Sequence, residues 1–168
     1  MKGMGAVWGA IRRALPWSSQ EPPRPARERP ANVLAILPDG SNRILLDGIA
    51  HQHGWVMTTV NTMEAAAEYL HTEERPIILF DREMAAEGWR EPLKAWSGRS
   101  PRPCVMLISR NTDVNLWDEF QRLGGSDILR SPLVENQVVW AIKRGWLVWR
   151  GQQQVRGAPG GPAKRLRI

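Results

Sequence analysis

Between residues 31 and 150 the hydrophobic period switches repeatedly between that of a strand and that of a helix. VLAIL at 33–37 is an unbroken apolar run of strand length. Ile44, Leu45, Ile49 and Ala50 then recur on one helical face over 41–53, with Ser41 as N-cap and Gly54 as the stop. WVMTTV at 55–60 is rich in β-branched residues and predicts a second strand. Met63, Ala66, Ala67 and Leu70 form the stripe of a helix over 62–71, capped by Asn61 or Thr62. PIILF at 76–80 and PCVMLI at 103–108 predict the third and fourth strands, separated by a loop and a short helix within 84–96. Val114, Trp117, Phe120 and Leu123 mark a helix over 114–123 that Gly124 and Gly125 end. A short fifth strand at 127–129 precedes the longest helix, over 134–149.

Strands that are apolar on both faces and alternate with amphipathic helices require a parallel sheet covered on both sides. Right-handed crossovers then favour a doubly wound (βα)5 α/β domain with strand order 2-1-3-4-5. In that arrangement the ligand crevice lies at the carboxyl ends of strands 1 and 3. The remaining chain divides into an N-terminal tail over 1–30 and a C-terminal tail over 151–168, around a folded region over 31–150. Residues 18–30 (SSQEPPRPARERP) hold four prolines and read as an extended linker. Ahead of it, Val7, Trp8, Ile11 and Leu15 share one face of a short helix beside Arg12 and Arg13, with Pro16 as its stop. A secretory signal is not expected, because the positive charges follow the apolar run. The C-terminal GQQQVRGAPGGPAKRLRI is basic and Gly/Pro-rich and reads as disordered.

Composition narrows the function classes without choosing among them. The chain has 168 residues, 42% hydrophobic and 24% charged, which excludes collagen, coiled coil and full-length disorder. No apolar run approaches the ~18 residues of a membrane-spanning helix, and a cytoplasmic protein is expected. The single cysteine, Cys104, cannot close an internal disulfide or build a cysteine zinc site, and it reads as a core residue. His51 and His53 do not share a helical face, so no metal centre is expected from them. The net charge of +6 divides as +4 in 1–30, −2 in 31–150 and +4 in 151–168. Such tails keep a chain soluble, or lean on nucleic acid or an anionic membrane. The short N-terminal helix is a second route to a membrane surface.

Chemistry is expected where the strands end. Strand 1 ends at Leu37-Pro38-Asp39, strand 3 at Phe80-Asp81, strand 4 at Ile108-Ser109 and strand 5 at Arg130-Ser131-Pro132. Over residues 33–149 these features together resemble the receiver domain of bacterial response regulators, which has a flavodoxin-like fold. Asp81 matches the family's phosphoacceptor, Ser109 its Ser/Thr after strand 4, and 124–133 its Gly-Ala, short strand, Lys-Pro pattern. Arg43, Leu45 and Leu46 match the usual Arg and Leu pair of the first helix. The resemblance implies a role in phosphorelay signal transduction without enzymatic activity, with a histidine kinase or a downstream regulator as protein partner.

The departures bear on the chemistry. The family's acidic pair that holds magnesium is replaced by Leu37 and Pro38, with Asp39 one position on. The family's lysine is Ser131, its aromatic switch residue is Ile128, and its proline four places past the phosphoacceptor is Ala85. Arg130 is the remaining cation in the segment, at a position whose side chain starts toward the opposite face. Phosphoryl transfer to a carboxylate needs a divalent ion, and magnesium needs oxygen ligands that leucine lacks. The expected pocket is Asp39, Asp81, Ser109, Arg130 and Ser131, with weak or no magnesium binding and no other cofactor. The expected reading is a degenerate stand-alone receiver that signals by protein–protein contact. Trp140, Trp146 and Trp149 on the last helix are the interface candidates, and the helix 4, strand 5, helix 5 face is the expected contact or homodimer surface. No output domain is expected in the residues after Trp149. The alternatives are a receiver phosphorylated at Asp81, a nucleic-acid-binding module acting through the tails, and, with least support, a small α/β enzyme.

Overall fold

In the computed structural model, residues 30–72, 76–85 and 88–157 are described. The N-terminal helix and nearly all of the Pro-rich linker read from the sequence lie outside those residues. Five strands alternate with helices: β1 (Asn32–Ile36), α1 (Ser41–His53), β2 (Val56–Val60), α2 (Met63–Thr72), β3 (Ile77–Asp81), α3 (Arg90–Ser97), β4 (Cys104–Ser109), α4 (Val114–Arg122), β5 (Asp127–Arg130) and α5 (Glu135–Gly157). A short 3-10 turn, Arg82–Met84, follows β3 directly. All pairings are parallel and the strand order is β2-β1-β3-β4-β5, as the pattern predicts.

Alternation along each strand divides the core in two. Val33 and Ala35 of β1, and Leu37 just past its end, join Ile77 and Leu79 of β3 beneath α1 and α5. Leu34 and Ile36 join Ile78 and Phe80 beneath α2, α3 and α4. The central strands β3 and β4 are buried along their whole length, which is why their sequences are continuous apolar runs. β2 and β5, at the sheet edges, are only partly buried.

The helices depart from the sequence reading in informative ways. Ser41 starts α1, and Gly40 holds the cap position ahead of it. Leu46, Ile49 and Ala50 face the core, whereas Ile44 is 74% exposed. Thr62 does cap α2, its Oγ1 accepting the Ala65 N–H at 3.1 Å. In α4 the sheet-facing pair is Leu116 and Phe120, while Val114 and Trp117 of the expected stripe turn toward α5. The apolar arc of α4 is wider than the sheet beneath it can cover. α5 continues to Gly157, into the stretch read as disordered from its glycines and charge. Gln152–Gln154 are good helix formers, and propensity carries the helix past Gly151. Among the described residues no helix is long and apolar enough to cross a membrane.

Candidate functional site

Asp81 closes β3, where the chain turns at once into the 3-10 segment. Its side chain caps that turn, Oδ1 accepting the Glu83 N–H at 2.9 Å. Asp81 is 6% exposed, one of two polar residues buried in the described core; the other is Ser109. Burial pushes the Asp81 carboxyl above its ordinary range. The Glu83 N–H opposes this, the Glu83 charge adds to it, and the Arg110 charge opposes it.

Asp81 and Asp39 share a pocket of about 310 Å³ with Asn42, Glu83, Arg110 and Ser131. Of the five residues the sequence places in the pocket, Asp39, Asp81 and Ser131 line this cavity together. Ser109 ends the neighbouring strand, and its Oγ donates to the Asn111 carbonyl at 2.8 Å, as a turn hydroxyl does. Arg130 does not join this pocket. It is exposed and lines the groove between α4 and α5. Its strand position sets this, since it pairs in register with Ser109 and follows the face of Ile128.

Two pocket residues were not singled out from the sequence. Arg110 donates to Glu83 through Nη2 at 2.6 Å and Nε at 3.4 Å, bridging the loops after β3 and β4. That bond draws the Glu83 carboxyl below its ordinary range. Asn42 donates to Ser131 Oγ at 3.0 Å and accepts the Leu133 N–H at 3.0 Å, tying α1 to the loop ahead of α5. Arg110 directly follows the fourth strand, so its place in the crevice was open to inference. Nothing local to Asn42 announces a partner 89 residues away.

A second candidate surface lies at the other edge. A groove of about 600 Å³ runs between α4, β5 and α5, with Val114, Trp117, Ile128, Arg130 and Trp140 in its lining. Val114 and Trp140 are 74% and 75% exposed. Arg144 closes one flank through an ion pair with Asp127 at 2.5 Å. The three tryptophans expected to act together are divided. Trp146 and Trp149 stack on each other with centroids 5.4 Å apart. Trp146 lines a separate groove with Trp55 and His53, near Pro30.

A doubly wound 2-1-3-4-5 sheet, with a buried carboxylate closing β3 and a buried hydroxyl closing β4, defines the flavodoxin-like receiver fold. The signal receiver domain of an HD domain-containing protein from Pseudomonas fluorescens Pf-5 is similar at a TM-score of 0.62 and 14% identity, over 73% of this chain and 99% of that one. The chemotaxis response regulator CheY4 of Vibrio cholerae is similar at 0.63 and 18%, over 70% of this chain and 99% of that one. NtrX from Brucella abortus is similar at 0.68 and 15%, over 81% of this chain and 32% of that one. No family model matches the chain, and no curated protein does. At these identities the likeness is one of fold.

Magnesium, which the receiver resemblance implies, does not fit the residues present. The ion needs several oxygen ligands in near-octahedral geometry. Leu37 is fully buried in the apolar core beneath α1 and α5. Asp39 Oδ1 accepts from Arg43, and both Glu83 oxygens accept from Arg110. Asp81 Oδ1 accepts the Glu83 backbone N–H. Among the described residues no three His, Cys, Asp or Glu side chains are gathered to hold a metal.

Proposed function

We propose that the protein is a receiver-like module of two-component phosphorelay signalling that works by protein–protein contact, without orthodox magnesium-dependent phosphorylation of Asp81. The contact surface is the α4–β5–α5 face. One observation carries the reading: Val114 and Trp140 stand almost fully exposed around a groove floored by Ile128. Exposed aromatic and aliphatic side chains grouped in a groove mark an interaction site more strongly than single surface apolar residues do. The exposed Arg130 on its rim favours a partner with carboxylates flanking its apolar anchor. A histidine kinase, a downstream regulator or a second copy of the chain fits that description.

The test is to incubate the full chain with magnesium and an acyl phosphate and weigh it intact. No added phosphoryl mass is expected. Added mass that disappears in Asp81→Asn would establish the alternative, a phosphorylatable receiver. For the surface, Trp140→Ser is expected to weaken binding to the cognate partner or to a second copy. Unchanged binding removes this face from the reading. Binding of nucleic acid or anionic membrane through the basic tails concerns segments almost wholly outside the described residues. It stays a separate alternative, tested by deleting 1–30 and 151–168 across a salt series.

A further inference from the structure

The Asp81 pocket contains a cation of its own. Arg110 leaves the end of β4 and crosses to Glu83 in the turn after β3, where its planar guanidinium meets both carboxylate oxygens. This two-point geometry suits arginine far better than a point charge such as lysine. Both residues of the pair line the same cavity as Asp81. Asp39, also in the lining, is held by Arg43 of α1. Formal charges around the cavity are thus three carboxylates and two guanidiniums, leaving a single negative charge.

We infer that Arg110 is the resident counter-charge of the Asp81 pocket: it occupies the Glu83 carboxylate and places a fixed positive charge beside Asp81, so that the pocket excludes divalent cations. This goes beyond the contact reading by assigning the exclusion to one side chain, and it stands on the pocket alone. Two effects act together. Glu83 cannot turn its oxygens to a metal without breaking the arginine fork. A dication entering beside Asp81 also meets the guanidinium charge. A unit charge acting on a dication over ~5 Å in a water-like dielectric changes affinity by about tenfold. Arg110 also opens the short connection that ends in Asp113, whose Oδ1 caps α4 by accepting the Leu116 N–H at 2.7 Å.

Calorimetric titration of the full chain with magnesium chloride, at constant ionic strength and without phosphodonor, tests this. Wild type is expected to show no saturable heat at millimolar magnesium, and Arg110→Lys, which keeps the charge without the fork, to bind less tightly than the neutral variants. Arg110→Ala and the longer neutral Arg110→Gln are expected to gain a single site, at least about tenfold tighter. Adding Asp81→Asn to either should remove it. Because the Arg110 side chain is 71% exposed, both variants should keep the wild-type circular dichroism and melting profile. Saturable stoichiometric binding by wild type would overturn the inference, as would neutral variants as refractory as wild type. A gain that survives Asp81→Asn would overturn it too, by placing the ion elsewhere. The readout is metal binding alone, so the phosphodonor experiment and this one can fail independently.

Discussion

Gly125 is where the packing of this domain leaves least room. An alanine methyl built there would lie 2.1, 2.2 and 2.4 Å from three ring carbons of Phe120. Carbon–carbon contact is comfortable only near ~3.5 Å, so the ring would have to retreat by over ~1 Å. It has nowhere to go. Phe120 is fully buried, and the indole of Trp89, itself 1% exposed, lies on it with centroids 6.1 Å apart. Overpacking of this kind costs about 1–3 kcal/mol. Replacing glycine returns about 0.4–1 kcal/mol by restricting the unfolded chain. Gly125→Ala is therefore expected to destabilise by roughly 1–2 kcal/mol, lowering the melting temperature by about 3–8 °C for a domain of this size. Phe120→Leu should be destabilising alone through its lost ring contacts, yet it should relieve the clash. In a double-mutant cycle followed by denaturant unfolding, the two substitutions should cost about 1 kcal/mol or more less together than the sum of the singles. An additive cycle, or a Gly125→Ala protein as stable as wild type, would refute the packing argument. The point matters for the receiver likeness, since the resemblance pattern has alanine at this position. Here the large ring of Phe120 fills the space that a methyl would occupy.

Three further outcomes follow from single sites. Asp81→Asn keeps an oxygen for the Glu83 N–H while removing a buried charge, and it should stabilise the protein at pH 7 by about 1 kcal/mol, or roughly 3–5 °C. The Asp81 carboxyl is raised in the fold, so its favourable contribution is complete below the ordinary value of 3.8 and is lost as pH rises through the folded value. The gap between variant and wild type in thermal melts should accordingly close as pH falls toward 4; a gap that widens in acid contradicts burial as the cause. Cys104 donates to the Gly145 carbonyl at 3.3 Å, and burial raises its thiol further above the ordinary range, so an aromatic disulfide reagent should react only after denaturation. Fast reaction in the native protein would show that the α5–sheet seam opens. Trp140→Ser should change unfolding free energy by under ~0.5 kcal/mol, because the indole is 75% exposed; a larger drop would mean that it packs within the fold.

The fold was legible because its strongest signals are local. IILF and CVMLI have no polar residue to offer to water, so both strands had to be central, and the parallel order followed. Helix faces were read less well where apolar residues exceed what the sheet can cover. Ile44, Val114 and Trp117 fit a helical stripe on paper, yet the register of each helix turns them away from the core. In the pocket, Asp81, Asp39 and Ser131 follow from where strands end. Arg130 lies in the other groove, on the face that strand alternation from Ser131 assigns it. Arg110 and Asn42 act on residues 27 and 89 positions away, and such pairings are set by tertiary packing. α5 outruns what glycine and charge suggest because Gln152–Gln154 favour the helix.

The two positions where the receiver resemblance expects acids have become physically different. Leu37 is fully buried in the cluster beneath α1 and α5, and its N–H donates to the Val60 carbonyl at 3.1 Å, extending the β1–β2 ladder. Leu37→Asp would lose about 2 kcal/mol of apolar burial and leave a carboxylate in an apolar core at a cost of several kcal/mol more. That sum is comparable with the whole stability of a domain this size, so the variant is expected to be unfolded or molten at 25 °C. Pro38 is exposed at the pocket edge and donates no hydrogen bond. Pro38→Asp should cost only about 0.4–1 kcal/mol through the freer unfolded chain and leave a cooperative melt. If Leu37→Asp instead folds with near-wild-type stability, the end of β1 is looser than its burial implies. If it fails as expected, the first of the two acidic positions has become part of the core. Restoring a metal-binding pocket would then have to begin from positions that solvent still reaches, Pro38 and Arg110 among them.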